Sequence, residues 1–157
     1  MKKHLIEKYA KPVPRYTSYP SAPHFHEGIT EAGFVKWLGE IDKSEPISLY
    51  LHIPFCQELC WFCGCNTQIT KRYEPVKKYI RLLLREIELI SSSIDELVSV
   101  SHIHWGGGSP TLLKAEDFDS LMQALRKRFN ILSGAEIAVE IDPRTLSKDL
   151  IASFGRN

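Results

Sequence analysis

No stretch of this sequence is long and apolar enough to cross a bilayer. The richest candidate, Val76 to Ile90, is cut by Lys77, Lys78, Arg81, Arg85, Glu86 and Glu88, the pattern of an amphipathic helix. An excess of one charge is missing too. The 20 basic and 19 acidic residues leave a formal +1, so nothing global attracts nucleic acid or an anionic membrane, and any anionic ligand must be met locally. The opening Met-Lys-Lys-His-Leu-Ile-Glu-Lys has no apolar segment behind its basic residues, so no secretory signal is expected. Cysteine is scarce, and all four copies fall between positions 56 and 65. A disulfide framework would spread its bridges to tie distant loops together, whereas this clustering in a reducing cytosol points to metal. A cytoplasmic protein is expected.

What is present suits a folded domain: 157 residues, 43% hydrophobic and 25% charged, are enough to bury a core. Prolines 12, 14, 20, 23 and 46, with Gly28, Gly33 and Gly39, leave the first 45 residues room for one modest helix, about Glu31 to Ile41. Residues 1–45 therefore read as an extended arm or cap. The stretch PRYTSYP within it, ending at Pro20, mixes tyrosines, hydroxyls and a basic residue between prolines. Its plainest role is a surface arm packing its aromatics on the domain behind it.

From position 46 the texture alternates. Ile47 to Ile53 reads as a buried strand bounded by Pro54, and the cysteine loop follows. A helix is expected from Pro75 to Val98, with Val76, Ile80, Leu83, Leu84, Ile87 and Ile90 on one stripe. A second strand, Val100 to Trp105, runs into Gly106-Gly107-Gly108. A helix over Lys114 to Phe129 carries Phe118, Leu121, Met122, Leu125 and Phe129 at helical spacing. The third strand, Ala135 to Ile141, ends at Asp142-Pro143, and a further helix starts near Leu146. Three strand and helix pairs predict an α/β fold, a parallel sheet with outer helices. All three unusual loops leave the carboxyl ends of strands, where such folds keep their sites.

In CQELCWFCGC, Cys56, Cys60 and Cys63 stand at Cys-x3-Cys-x2-Cys spacing, with Cys65 two residues further on. Three thiolates on one loop can ligate three irons of a cubane and leave the fourth open. Structural zinc is the main alternative, although it usually draws its thiolates from two separated knuckles. An unligated group of cysteines also stays open, and so does Cys65 as a ligand or a packing residue beneath the loop.

The spacing, with an aromatic, Phe62, before the last cysteine, is the signature of the radical S-adenosylmethionine (radical SAM) superfamily. LYLHIPFC (Leu49 to Cys56), WFCGCN, HWGGGSPT, EIDPR (Glu140 to Arg144) and PRYTSYP together resemble the family of oxygen-independent coproporphyrinogen III oxidases. The resemblance runs from about Tyr9 to Leu150. It implies that Cys56, Cys60 and Cys63 ligate a [4Fe-4S] cluster whose open iron chelates SAM. One electron then cleaves the sulfonium to a 5′-deoxyadenosyl radical. It also implies that Tyr50, Phe62, Gly107, Gly108, Ser109 and Glu140 contact the cofactor, with Ser109 standing where threonine is usual. Without the resemblance, Tyr50 and Phe62 would read as core aromatics and Glu140 as a solvated strand end. His52, His102 and His104 read as satisfied packing residues, and no catalytic side chain is assigned.

The resemblance further implies a second SAM and coproporphyrinogen III as substrate, two of whose propionates are oxidatively decarboxylated to vinyls. A reductant protein such as flavodoxin or ferredoxin, and a monomeric complete enzyme, go with it. The related haem-chaperone group is the neighbouring alternative, but it usually lacks both PRYTSYP and the cysteine at position 65. The family domain is a partial (β/α)6 barrel followed by a helical domain, so residues 46–157 are expected to supply its first three units. The rest would then lie beyond Asn157, and the chain alone is expected to be inactive as an oxidase.

Overall fold

The computed structural model describes residues 3–10, 20–61, 63–94 and 96–157. Two compact units divide the chain, Met1–Phe34 and Val35–Asn157. The first holds helix α1 (Lys3–Tyr9) and a 3-10 turn at Ala22–His24, neither of which buries a residue. Helix α1 was not expected. Its Lys, Leu and Glu residues are good helix formers and precede the first proline, so nothing interrupts the turn. Most of PRYTSYP lies outside the described residues.

Helix α2 (Glu31–Gly39) runs across the division. Leu38 and Ile41 pack against the hydrophobic core of the second unit, so that unit starts before the first strand. Its sheet is parallel, in the order β1 (Ile47–Ile53), β4 (Ser99–Gly107), β5 (Asn130–Val139). Helices α3 (Glu74–Ser92), α4 (Ala115–Arg128) and α5 (Lys148–Arg156) complete the expected alternation. Among the described residues no helix is long and apolar enough to cross a membrane.

The core forms on one face of the sheet. Leu51, Ile53, Val100, Ile103 and Trp105 meet Val76, Ile80, Leu83 and Ile87 of α3 and Phe118, Leu121, Met122 and Leu125 of α4, all buried. The helical spacing read from the sequence supplies these residues, with Leu84 and Ile90 at the margin of the stripe. The opposite face carries Tyr50, His52, His102 and His104, none of them buried. β1 is therefore half-buried and not a fully buried strand. Successive side chains alternate between faces, and only the face bearing Leu51 and Ile53 is packed among the buried residues.

Several boundaries differ from the sequence reading: α2 ends at Gly39, β4 extends to Gly107 and β5 ends at Val139, just before Glu140. α3 stops at Ser92 instead of reaching Val98, because Ser91, Ser92 and Ser93 turn their hydroxyls back onto the carbonyls of Glu88 and Leu89 at 2.7 to 3.1 Å. Such local bonds compete with the helix ladder and favour its end. β5 starts at Asn130, since Asn130 and Ile131 pair with Ser99 and Val100 despite Gly134. The last helix begins only at Lys148, where the Ser147 side chain caps it by accepting from the Leu150 amide.

Candidate functional site

The cysteine loop leaves β1 and comes back to the point where it left. Phe55–Cys56 (β2) and Gln68–Ile69 (β3) form a two-residue parallel ladder, reinforced by Gln68 N–H to Pro54 O at 2.7 Å and Thr70 N–H to Cys56 O at 2.9 Å. Residues 57–67 are thus an excursion with a fixed neck. Inside it, Cys63 N–H donates to Cys60 O at 3.1 Å, and the Thr67 hydroxyl donates to Cys56 Sγ at 3.3 Å.

The glycine turn after β4 is stitched to that neck. Gly108 N–H donates to Ile53 O and Ser109 N–H to Phe55 O, both at 2.8 Å. A Cβ on Gly108 would lie 2.7 Å from Phe55 O and 2.9 Å from Cys56 Sγ, so only glycine lets the turn approach the sulfur this closely. Gly107 adopts φ +112°, a left-handed region that residues with a side chain avoid. Its N–H points at the Glu140 carboxylate, 3.2 Å away.

Glu140 sits one residue past β5, with its own N–H on Trp105 O at 2.9 Å. Its other carboxylate oxygen meets His104 Nε2 at 3.2 Å. The His104 ring stacks on Tyr50, centroids 5.7 Å apart. Tyr50 is no core aromatic: it is 58% exposed. Its hydroxyl lies 3.0 Å from His52 Nδ1, while His52 Nε2 reaches the Asn66 carbonyl at 3.1 Å. A carbonyl only accepts, so Nε2 carries the proton; in the neutral ring Nδ1 then accepts from Tyr50. Partial burial, then the charges of Glu140 and Cys65, push the Tyr50 hydroxyl further up, which keeps it a neutral phenol.

The third loop closes the site. The Asp142 carboxylate accepts from the Arg144 side chain at 2.8 to 3.2 Å and from its backbone N–H at 3.0 Å, and these bonds hold it below the usual carboxylate range. Arg144 Nη2 also reaches Cys60 Sγ, 3.6 Å away. Cys56, Cys60, Cys63, Gly107, Gly108 and Glu140 line one open cleft of about 440 Å³ between the loops.

Of the residues singled out in the sequence, the cleft gathers the three cysteines, Gly107, Gly108, Ser109 and Glu140. Tyr50 is not among the residues that line it; its ring stands against Gly106, on the side where Glu140 also approaches. Ser109 is buried, and its hydroxyl is bonded to Thr111 at 2.9 Å, so it presents backbone to the cleft more than hydroxyl. Phe62 lies outside the described residues. Cys65 lines the cleft as well, its thiol raised first by a hydrogen bond to Cys63 and then by that group's charge. Sequence reasoning missed His52 and His104, which hold Tyr50 and Glu140. Their positions on neighbouring strands, within two registers of Tyr50, are the signal that finds them.

Three thiols in one cleft, hydrogen-bond donors on two of them, and a glycine backbone against a third wall suit a sulfur-ligated cluster. Among the described residues, no three His, Cys, Asp or Glu side chains converge closely enough for a single metal ion.

The sequence profile of the Radical SAM superfamily matches residues 50–157. The chain belongs to the radical SAM superfamily. Membership implies a [4Fe-4S] cluster and SAM as cofactors. Among radical SAM relatives, an oxygen-independent coproporphyrinogen III oxidase of Bradyrhizobium diazoefficiens is 49% identical over 142 residues, covering 90% of this chain and 32% of the relative. A protein of the same name from Mannheimia haemolytica is 44% identical over 139 residues, covering 88% of this chain and 94% of the relative. The solved structure of the Escherichia coli radical SAM coproporphyrinogen III oxidase HemN superposes with a TM-score of 0.83 at 36% identity, over 98% of this chain and 34% of that one. The chain thus spans about a third of the length of HemN and of the Bradyrhizobium relative.

Proposed function

We propose that this chain carries the cluster-binding and SAM-binding part of an oxygen-independent coproporphyrinogen III oxidase, acting in the cytoplasm. Residues 1–45 would be its arm and residues 46–157 the first three units of its barrel. The observation that carries the reading is the single cleft in which Cys56, Cys60 and Cys63 face the Gly107-Gly108 turn and Glu140. The likeness to named oxidases over nine-tenths of the chain supports the substrate, coproporphyrinogen III.

When bound, a [4Fe-4S] cluster and SAM supply one-electron cleavage of the sulfonium and a carbon radical able to withdraw a β-hydrogen from a propionate. This chain's own residues bind and orient. Cys56, Cys60 and Cys63 would hold three irons and leave one open. Backbone carbonyls of the glycine turn would receive the ammonium of SAM. Glu140, held in place by the Gly107 amide and His104, would accept from ribose hydroxyls or an amino group. Tyr50, Phe62 and the Ser109 backbone would line the cofactor. A second SAM, a flavodoxin-like or ferredoxin-like electron donor and a monomeric complete enzyme belong to the same proposal.

Anaerobic reconstitution with iron and sulfide, followed by electron paramagnetic resonance of the reduced protein with and without SAM, tests it. A reduced-cluster signal that changes when SAM is added is the expected result. A folded chain that binds one zinc and no acid-labile sulfide would overturn it.

A further inference from the structure

We propose that Arg144 is a positioning residue for Cys60 that raises the reduction potential of a cluster held on the cysteine loop. The inference rests on the cluster reading above and adds a role for a residue that reading leaves unused.

Arg144 lies 84 residues from Cys60, on the loop after β5, yet its Nη2 stands 3.6 Å from Cys60 Sγ. The side chain is not free to wander. Its Nε donates to both Asp142 oxygens at 3.0 and 3.2 Å, and Nη2 donates to Asp142 Oδ2 at 2.8 Å. Asp142 is itself fixed: its backbone N–H donates to the Thr111 hydroxyl, and its carbonyl accepts from Thr145 N–H. The guanidinium is therefore aimed from a rigid base. Its remaining Nη1 faces Glu58 Oε2 at 4.0 Å, two residues before Cys60. One planar fork thus ties the cysteine loop to the third strand end and covers two carboxylates that stand near the sulfur. Lysine has a single nitrogen and cannot make that set of contacts.

A cluster gains an electron when it is reduced, so nearby positive charge and donors to its sulfurs favour the reduced state. Without the guanidinium, the negative charges of Asp142 and Glu58, both of which it contacts, would stand uncompensated and disfavour that electron. The plain alternative is a solvated arginine that only closes the Asp142 turn. Such a role can affect folding but leaves the potential where it is.

The experiment is an anaerobic redox titration, read by electron paramagnetic resonance, of the reconstituted wild-type chain, Arg144→Gln and Arg144→Lys, with circular dichroism to confirm the fold. The expected midpoints fall in the order wild type, Arg144→Lys, Arg144→Gln, the last the most negative. A folded Arg144→Gln with the wild-type midpoint overturns the assignment. Should Arg144→Gln lose the cluster, Arg144→Lys decides: a lowered midpoint supports the role, an unchanged one overturns it. If the wild type itself takes up no cluster, the cluster reading fails first and this role falls with it.

Discussion

Alanine at position 108 is the sharpest structural test of how the cysteine loop is held. The added Cβ would lie 2.5 Å from Thr67 Oγ1, 2.7 Å from Phe55 O and 2.9 Å from Cys56 Sγ. The threonine can rotate away, but the carbonyl belongs to β2 and the sulfur to its cysteine. The carbonyl is pinned, since Ser109 N–H donates to it at 2.8 Å and Gly108 N–H donates to Ile53 O at the same distance. Relief therefore means separating the glycine turn from the neck of the loop. Overpacking of this kind costs about 1–3 kcal/mol. At about 3 °C per kcal/mol for a domain of this size, thermal unfolding should shift down by roughly 3–9 °C. Displacing Cys56 should also lower the iron bound per chain after reconstitution. The matching control is Gly134→Ala on β5, where a Cβ meets nothing within 4 Å, and its unfolding temperature should stay within about 2 °C of wild type. Differential scanning fluorimetry and iron analysis read both variants. A Gly108→Ala chain with wild-type unfolding temperature and iron content would refute the argument that the turn and the sulfur are in contact.

Three further outcomes follow from the geometry. Thr67→Val keeps the volume but removes the hydroxyl that donates to Cys56 Sγ at 3.3 Å; the cluster midpoint should move negative while the unfolding temperature barely changes, and an unchanged midpoint would dismiss that bond. Ser147→Ala removes the cap of α5 and should cost about 1 kcal/mol, seen as a drop of about 3 °C in thermal unfolding. The Asp119 carboxylate is held below its ordinary value, first by the Ser153 hydroxyl and then by Arg156 and Asn157. A depressed carboxylate stabilises the fold above its unfolded value, about 3.9, and that contribution is lost as pH falls through the folded value. The unfolding temperature should therefore decline from about pH 5 downward, and Asp119→Asn should flatten that slope; an identical profile in the variant would exclude Asp119 as a source.

Much of this protein is local enough to be read along the chain. The cysteine spacing is a local string, and the apolar stripes of α3 and α4 and the alternation along the strands follow from periodicities of 3.6 and two residues, which survive in one dimension because each element imposes its own repeat. β1 was placed at its observed bounds by an apolar run ending at a proline. The end of α3 was legible only in part, because three serines can continue a helix or terminate it depending on where their hydroxyls bond. Contacts between segments distant in sequence were beyond its reach. Nothing in residues 55 and 68 announces a two-residue ladder, yet that ladder closes the neck of the cysteine loop. Tyr50 reads as core until its strand is seen to leave one face open. Arg144 reads as the end of a motif until the chain brings it to Cys60. Spacing along the chain determined which residues have the chemistry; packing decided which of them meet, because approach between distant segments depends on sheet register and on where a side chain is absent.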